Sequence, residues 1–109
     1  MTESIKIGGG AGFLDDRLEP ALDILENSNV DFLMLEHLAE RTLALLQEAK
    51  RSGKPGHVAN LRHRMETLLP TAVEKKVRIL TNLGGADPIG AAKLVCDVAK
   101  EHGLSNLKV

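Results

Sequence analysis

The chain has 109 residues, 14 of them basic and 15 acidic, for a formal net charge of −1. That length suits one domain, and that balance excludes a nucleic-acid or membrane surface held by bulk charge. Phe13 and Phe32 are the only aromatic residues, which also excludes a base-stacking platform.

Residues 4–7 (SIKI) read as a short central strand, followed by a glycine-rich loop made of Gly8, Gly9, Gly10 and Gly12. Asp15 or Asp16 is positioned to cap the next helix, expected over residues 17–27 with Leu18, Ala21, Leu22 and Leu25 on one face. Pro20 suits the first turn, where an N–H has no helical partner. After the turn Asn27-Ser28-Asn29, residues 30–35 (VDFLML) form a second strand. A strand apolar on both faces belongs inside a parallel sheet with helices on each side. It ends at Glu36 and His37.

A helix is expected over residues 38–51, with Leu38, Thr42, Leu45, Leu46 and Ala49 inward, and Ser52-Gly53-Lys54-Pro55-Gly56 breaks it. The next helix starts near residue 58 and carries Leu61, Met65, Leu68 and Leu69 on one face. Pro70 either kinks it or opens a separate short helix. Residues 77–81 make the third strand and residues 82–87 a second glycine loop. Asp87 and Pro88 start a helix with Ile89, Ala92, Val95, Cys96 and Ala99 inward, and Gly103 suits the left-handed position after its end. Residues 105–109 (SNLKV) begin a fourth strand.

The order β-α-β-α-α-β-α-β implies an α/β fold: a parallel sheet of about four strands, right-handed crossovers and helices on both faces. This is an incomplete Rossmann-like three-layer domain over residues 1–109, and its barely started last strand points to part of a longer protein. Cys96 is the only cysteine, so a reducing compartment is expected. No apolar run nears the roughly 20 residues that span a bilayer, and the first residues show no signal peptide. The expected location is cytoplasmic.

In open parallel sheets, ligands bind at the carboxyl ends of the strands. The residues expected there are Asp15, Asp16 and Arg17, then Glu36 and His37, then Thr81, Asn82 and Asp87. Asp16, Arg17, Glu36, His37 and Asn82 are the catalytic candidates, because carboxylates, an imidazole and an amide on one edge suit acid–base work. The aspartates are equally explained as helix caps, His37 as a surface residue and Arg17 as a solvated charge. The ligand-binding candidates are Gly8, Gly9, Gly10, Gly12, Phe13, Thr81, Asn82, Gly84, Gly85 and Asp87. Four glycines within five positions suit close approach of backbone to a ligand, although glycines also serve tight turns.

The dinucleotide fingerprint G-x-G-x-x-G is not met, since Phe13 occupies its third glycine position, although Glu36 sits where a ribose-binding acid would be. His57 and His63 do not have metal-ligand spacing, so no metal site is expected, and the residues single out no cofactor. Arg62, Arg64, Lys75, Lys76 and Arg78 read as solvated flanks, and Cys96 as a buried structural thiol.

The sequence resembles the N-terminal part of the acyclic terpene utilisation (AtuA-like) family. The residues that carry the resemblance begin with Ile7-Gly8-Gly9-Gly10-Ala11-Gly12-Phe13 and Asp16-Arg17. Leu38-Ala39-Glu40-Arg41-Thr42, Leu68-Leu69-Pro70 and Thr81-Asn82-Leu83-Gly84-Gly85-Ala86-Asp87-Pro88 complete them. In the family the first motif more usually reads Gly-Asn-Gly-Ala-Gly-Phe, so Gly9 replaces a polar side chain. Leu83 stands where Ala is common and Asp87 where Asn is common.

The resemblance implies a longer bacterial-type protein for catabolism of branched acyclic terpenoids, often found beside biotin-dependent acyl-CoA carboxylases. It also implies that Gly10, Gly12, Phe13, Asp16, Arg17, Thr81, Asn82, Gly84 and Gly85 line one site. Three functions compete: a catabolic enzyme part handling branched acyl-CoA or hydroxy-acid intermediates, a non-catalytic interaction module, and a nucleotide-binding Rossmann-like half. The expected partners are a small-molecule ligand and the remainder of the family fold or a partner subunit, in a homo- or hetero-oligomer, with no nucleic acid and no membrane.

Overall fold

The computed structural model describes residues 3–14 and 16–109; the capping role expected of Asp15 lies outside them. The elements are β1 (Ile7–Ala11), α1 (Glu19–Asn27), β2 (Phe32–Leu35), α2 (Glu40–Arg51), α3 (Leu61–Lys75), β3 (Arg78–Thr81) and α4 (Pro88–Glu101). The strands form one parallel sheet in the order β1-β2-β3. The α/β alternation is as expected, but β2 is the central strand and β1 an edge.

The first glycines are strand, not loop. β1 runs through Gly8, Gly9 and Gly10 to Ala11, with a bulge between Gly9 and Ala11. The reason is packing against α1. A Cβ on Gly10 would lie 2.8 Å from Leu35 Cδ2 and 2.9 Å from the Ala21 Cβ, and one on Gly8 would lie 2.7 Å from Ile24 Cγ2. The missing side chains let α1 rest directly on the strand.

Asp16 does not cap α1. The residue before that helix is Leu18, and no side chain among the described residues caps it. The Asp16 carboxylate instead accepts the N–H of Gly12 at 2.7 Å and that of Arg17 at 3.2 Å, closing the loop on itself.

The main core lies on one face of the sheet. Leu33 and Leu35 of β2 pack with Ala21 and Leu25 of α1 and with Leu68 and Ala72 of α3. A second cluster joins α3 to α4 through Leu61, Met65, Leu69, Ala91 and Val98. α4 packs on α3 and not on the sheet, so its inner stripe is Ala91, Val98 and Ala99, while Ile89 is 70% exposed. No described helix covers the opposite face, which corrects the expectation of helices on both sides. There Ile7 pairs with Phe32 and Phe32 with Arg78, and Gly9 pairs with Met34 and Met34 with Leu80. Ile7 and Leu80 are exposed, and the Arg78 guanidinium lies 5.8 Å from the Phe32 ring centroid.

Pro70 does not restart a helix. α3 is continuous through it, because buried Met65, Leu68, Leu69 and Ala72 form one stripe on both sides of the proline. α2 has no fully buried residue, and Leu45, expected inward, is 60% exposed. It approaches no described strand or helix and rests on loops: Lys50 Nζ donates to the Ala86 carbonyl at 3.0 Å. Gly85, at φ +54°, makes room for Leu46, since a Cβ there would lie 2.4 Å from Leu46 Cδ1. Asp87 caps α4 as expected, accepting the Gly90 N–H at 3.0 Å.

The fourth strand does not form among the described residues. Gly103 takes φ +71°, its N–H bonds to the Lys100 carbonyl and that of Leu104 to the Ala99 carbonyl, a Schellman closure. The chain then turns so that Leu104 and Leu107 pack into the second cluster instead of pairing with β3.

Two substitutions separate packing glycines from an exposed one. Gly10→Ala should destabilise by about 1–3 kcal/mol through overpacking against Leu35 and Ala21. Gly9→Ala, with open space around its Cβ position, should leave stability within about 0.5 kcal/mol of the wild type. Urea unfolding midpoints measure both.

Candidate functional site

The carboxyl ends of the strands meet around three polar side chains. Asn82, just past β3, accepts the His37 N–H on Oδ1 at 2.9 Å and donates from Nδ2 to Glu36 Oε1 at 3.0 Å. Glu36 Oε1 also accepts the Leu38 N–H at 2.8 Å. Thr81 donates to the Leu35 carbonyl at 2.9 Å, tying the ends of β2 and β3 together. These bonds hold the Glu36 carboxyl below its ordinary range, first through Asn82 and then through the Leu38 N–H.

His37 is 1% exposed. Its Nδ1 lies 2.8 Å from the Phe13 carbonyl oxygen. A carbonyl only accepts, so Nδ1 carries the proton, and in the neutral ring Nε2 presents a bare lone pair. That Nε2 is buried without a partner. The Asp16 N–H shares the Phe13 carbonyl at 3.2 Å. On the other side of the loop, Arg64 from α3 donates from Nη2 to the Asp16 carbonyl. Arg64 is 3% exposed, and among the described residues its Nε and Nη1 have no partner.

Two clefts adjoin here. One of about 430 Å³ is lined by Gly12, Phe13, Glu36, His37, Thr42 and Leu45 among others. Its neighbour, of about 560 Å³, is lined by Thr81, Asn82, Gly84, Gly85 and Pro88, and both share Leu38 and Ala39. The clefts flank the start of α2, and Phe13 at the rim is 59% exposed.

Of the expected site residues, Gly12, Phe13, Glu36, His37, Thr81, Asn82, Gly84 and Gly85 come to this edge. Gly8 and Gly10 lie within β1 against α1. Asp16 is spent on the loop and Asp87 on capping α4. Arg17 points into solvent and pairs with Glu19 at 3.6 Å. α1 begins at Glu19, past the residues that follow Gly12, so the first glycine turn does not lead straight into a helix N-terminus. The first loop therefore lacks the strand–turn–helix arrangement of the dinucleotide fingerprint.

Arg64 and Asn60 escape the sequence reading. Arg64 is buried rather than solvated, and Asn60 Oδ1 is also buried without a partner. Spacing carries a signal for Arg64: it lies three residues after Leu61 and four before Leu68, inside the apolar stripe of α3. Arg62 does belong to the surface, bonded to Glu66 and Glu101.

The fold and site thus define a small parallel α/β domain with a polar cluster at the carboxyl edge of its sheet. The family model described as "Acyclic terpene utilisation family protein AtuA" matches residues 5–109, and the chain belongs to that family. No curated protein and no solved structure matches it.

The depressed Glu36 carboxyl sets a pH dependence. The unfolded glutamate takes up its proton at a higher pH than the folded one, so this contribution is complete above the ordinary glutamate range. It is lost as pH falls through the folded-state value. Asn82→Ala should raise the Glu36 value toward the ordinary range, as read by carbon-detected NMR titration of its carboxyl.

Proposed function

We propose that this chain supplies the ligand-holding edge of a catabolic enzyme of the AtuA family. Its ligand is a branched hydroxy-acid or acyl-CoA intermediate, held in the clefts beside α2. One observation carries the reading: His37 Nε2, a buried lone pair without a partner beside a cleft. A buried acceptor left unmade costs about 1–3 kcal/mol, and a ligand hydroxyl donating to it recovers that cost. The rim fits an apolar body, with Phe13, Leu38 and Leu45 around the cleft. The family's association with acyclic terpenes agrees with a branched chain.

In this reading His37 accepts the substrate's proton on Nε2, and the Phe13 carbonyl holds the ring in the required tautomer. Asn82 positions His37 and Glu36 and does not touch the substrate. Gly12, Gly84 and Gly85 bring backbone to the two clefts.

The uncovered sheet face favours a second reading, an interaction module completed by another subunit. Ile7, Phe32, Met34 and Leu80 form an apolar surface beside the open edge of β3. Such a surface marks a protein partner.

Titration of nitrogen-15-labelled protein with 3-hydroxyisovalerate and with isovaleryl-CoA tests the first reading. Saturable shifts of the Gly12, His37, Leu38 and Thr42 amides are expected, and His37→Ala should weaken them about tenfold. Unmoved amides at millimolar concentrations of both compounds would remove it.

A further inference from the structure

Arg64 and His37 are the buried polar or charged side chains among the described residues, and Arg64 is the one with a permanent charge. A guanidinium carries its charge at every physiological pH. Here it is 3% exposed, on a helix stripe otherwise made of Leu61, Met65, Leu68 and Leu69. Among the described residues it forms no salt bridge, and its sole hydrogen bond goes to the Asp16 carbonyl. A leucine or methionine at this position would pack with its neighbours at no desolvation cost, so stability does not explain the residue.

The carboxylate of Asp16, whose carbonyl Arg64 holds, does not neutralise it. Asp16 turns its oxygens to the N–H groups of Gly12 and Arg17 instead. The bonding pattern of the guanidinium is informative. Its side-on fork is Nε with Nη2, and its end-on fork is Nη1 with Nη2. The Asp16 carbonyl holds the nitrogen common to both, and the other two are unpartnered. Release of that one carbonyl frees a full fork, the geometry that takes a carboxylate or phosphate through two parallel bonds.

We propose that Arg64 is an anion-binding residue of the carboxyl-edge site and that a ligand oxyanion replaces the Asp16 carbonyl on it. This rests on the cleft reading above. The loop that would yield is a surface one: Gly12 and Phe13 are exposed, and the Arg17 side chain is 77% exposed. The same loop is also held by His37, whose Nε2 is a further unpartnered buried atom among the described residues. A ligand that engages both side chains carries a hydrogen-bond donor for the imidazole and an oxyanion for the guanidinium. A hydroxy acid has both, and so does the phosphate-bearing thioester of a hydroxy acid.

The Arg64 Nε–H resonance tests this directly, assigned by its disappearance in Arg64→Lys. Wild-type protein is titrated with acetate in one series and inorganic phosphate in another, with chloride adjusted to constant ionic strength. The proposal expects the Arg64 Nε–H and the Asp16 and Arg17 amides to shift together and saturate. It expects Arg64→Lys, read on those amides, to bind about tenfold more weakly, because a point charge replaces a fork. Stronger binding of acetate assigns the oxyanion to a carboxylate, and stronger binding of phosphate to a phosphorylated carrier.

An Arg64 resonance that stays fixed in both series overturns the proposal, and so does wild-type affinity in Arg64→Gln. Where the variants do not fold, the wild-type Asp16 and Arg17 amides decide, and amides that stay fixed in both series overturn the proposal. A hydroxy acid that moves Leu38 and Thr42 but leaves Arg64 unmoved would sink this inference and leave the cleft reading standing.

Discussion

The fold depends on the close approach of α1 to β1, with no side chain between them at Gly8 and Gly10. This contact makes the glycines part of the sheet and carries the strand as far as Ala11. The loop therefore leaves the sheet at Gly12, level with the end of β2, where Ala11 pairs with Leu35. The Phe13 carbonyl then falls on His37 and the Asp16 carbonyl on Arg64. A strand ending at Ile7, as the sequence suggests, would release the chain several residues too early to make either bond.

The packing is uneven in a way that serves the edge. α1 and α3 bury one face of the sheet, and α4 leans on α3. α2 joins neither layer and is held by loop contacts from Leu46 and Lys50. A helix without a buried side chain adds little to stability, because most helical stability in proteins comes from packing. Its position beside the strand ends, with a cleft on either side, is what it adds. Local opening concentrates in segments with few buried apolar contacts, so α2 is the helix of this fold where such opening is expected.

Much of this was legible in the residues. The apolar run ending at Leu35 marks a central parallel strand, and Asp87 with Pro88 marks a capped helix start. Gly103 takes the left-handed turn that its position suggests. The family is legible from the two glycine motifs and their spacing. Other features depend on distant partners. Gly8 and Gly10 look like a loop until Ile24, Ala21 and Leu35 are known to press on them. Residues 105–109 have strand composition, but the turn after Gly103 sends Leu107 into the core. Arg64 reads as surface charge because sequence habitually places arginine there, and only its register within the α3 stripe says otherwise.

The edge contains two groups with acid–base chemistry, and their surroundings divide the work. Glu36 accepts from Asn82 and Leu38 on the same oxygen, and its proton affinity falls as a result. A carboxylate stabilised in this way is a weak base, since proton transfer to it works against the bonds that hold its charge. His37 has the opposite arrangement. Its N–H and Nδ1 are fixed by Asn82 and Phe13, and neither bond uses Nε2. The frame therefore orients the ring completely while leaving its one basic atom free. Of the two residues, Glu36 holds Asn82 and the 36–38 turn in place, and His37 is the one that the proposed function sets against a ligand hydroxyl.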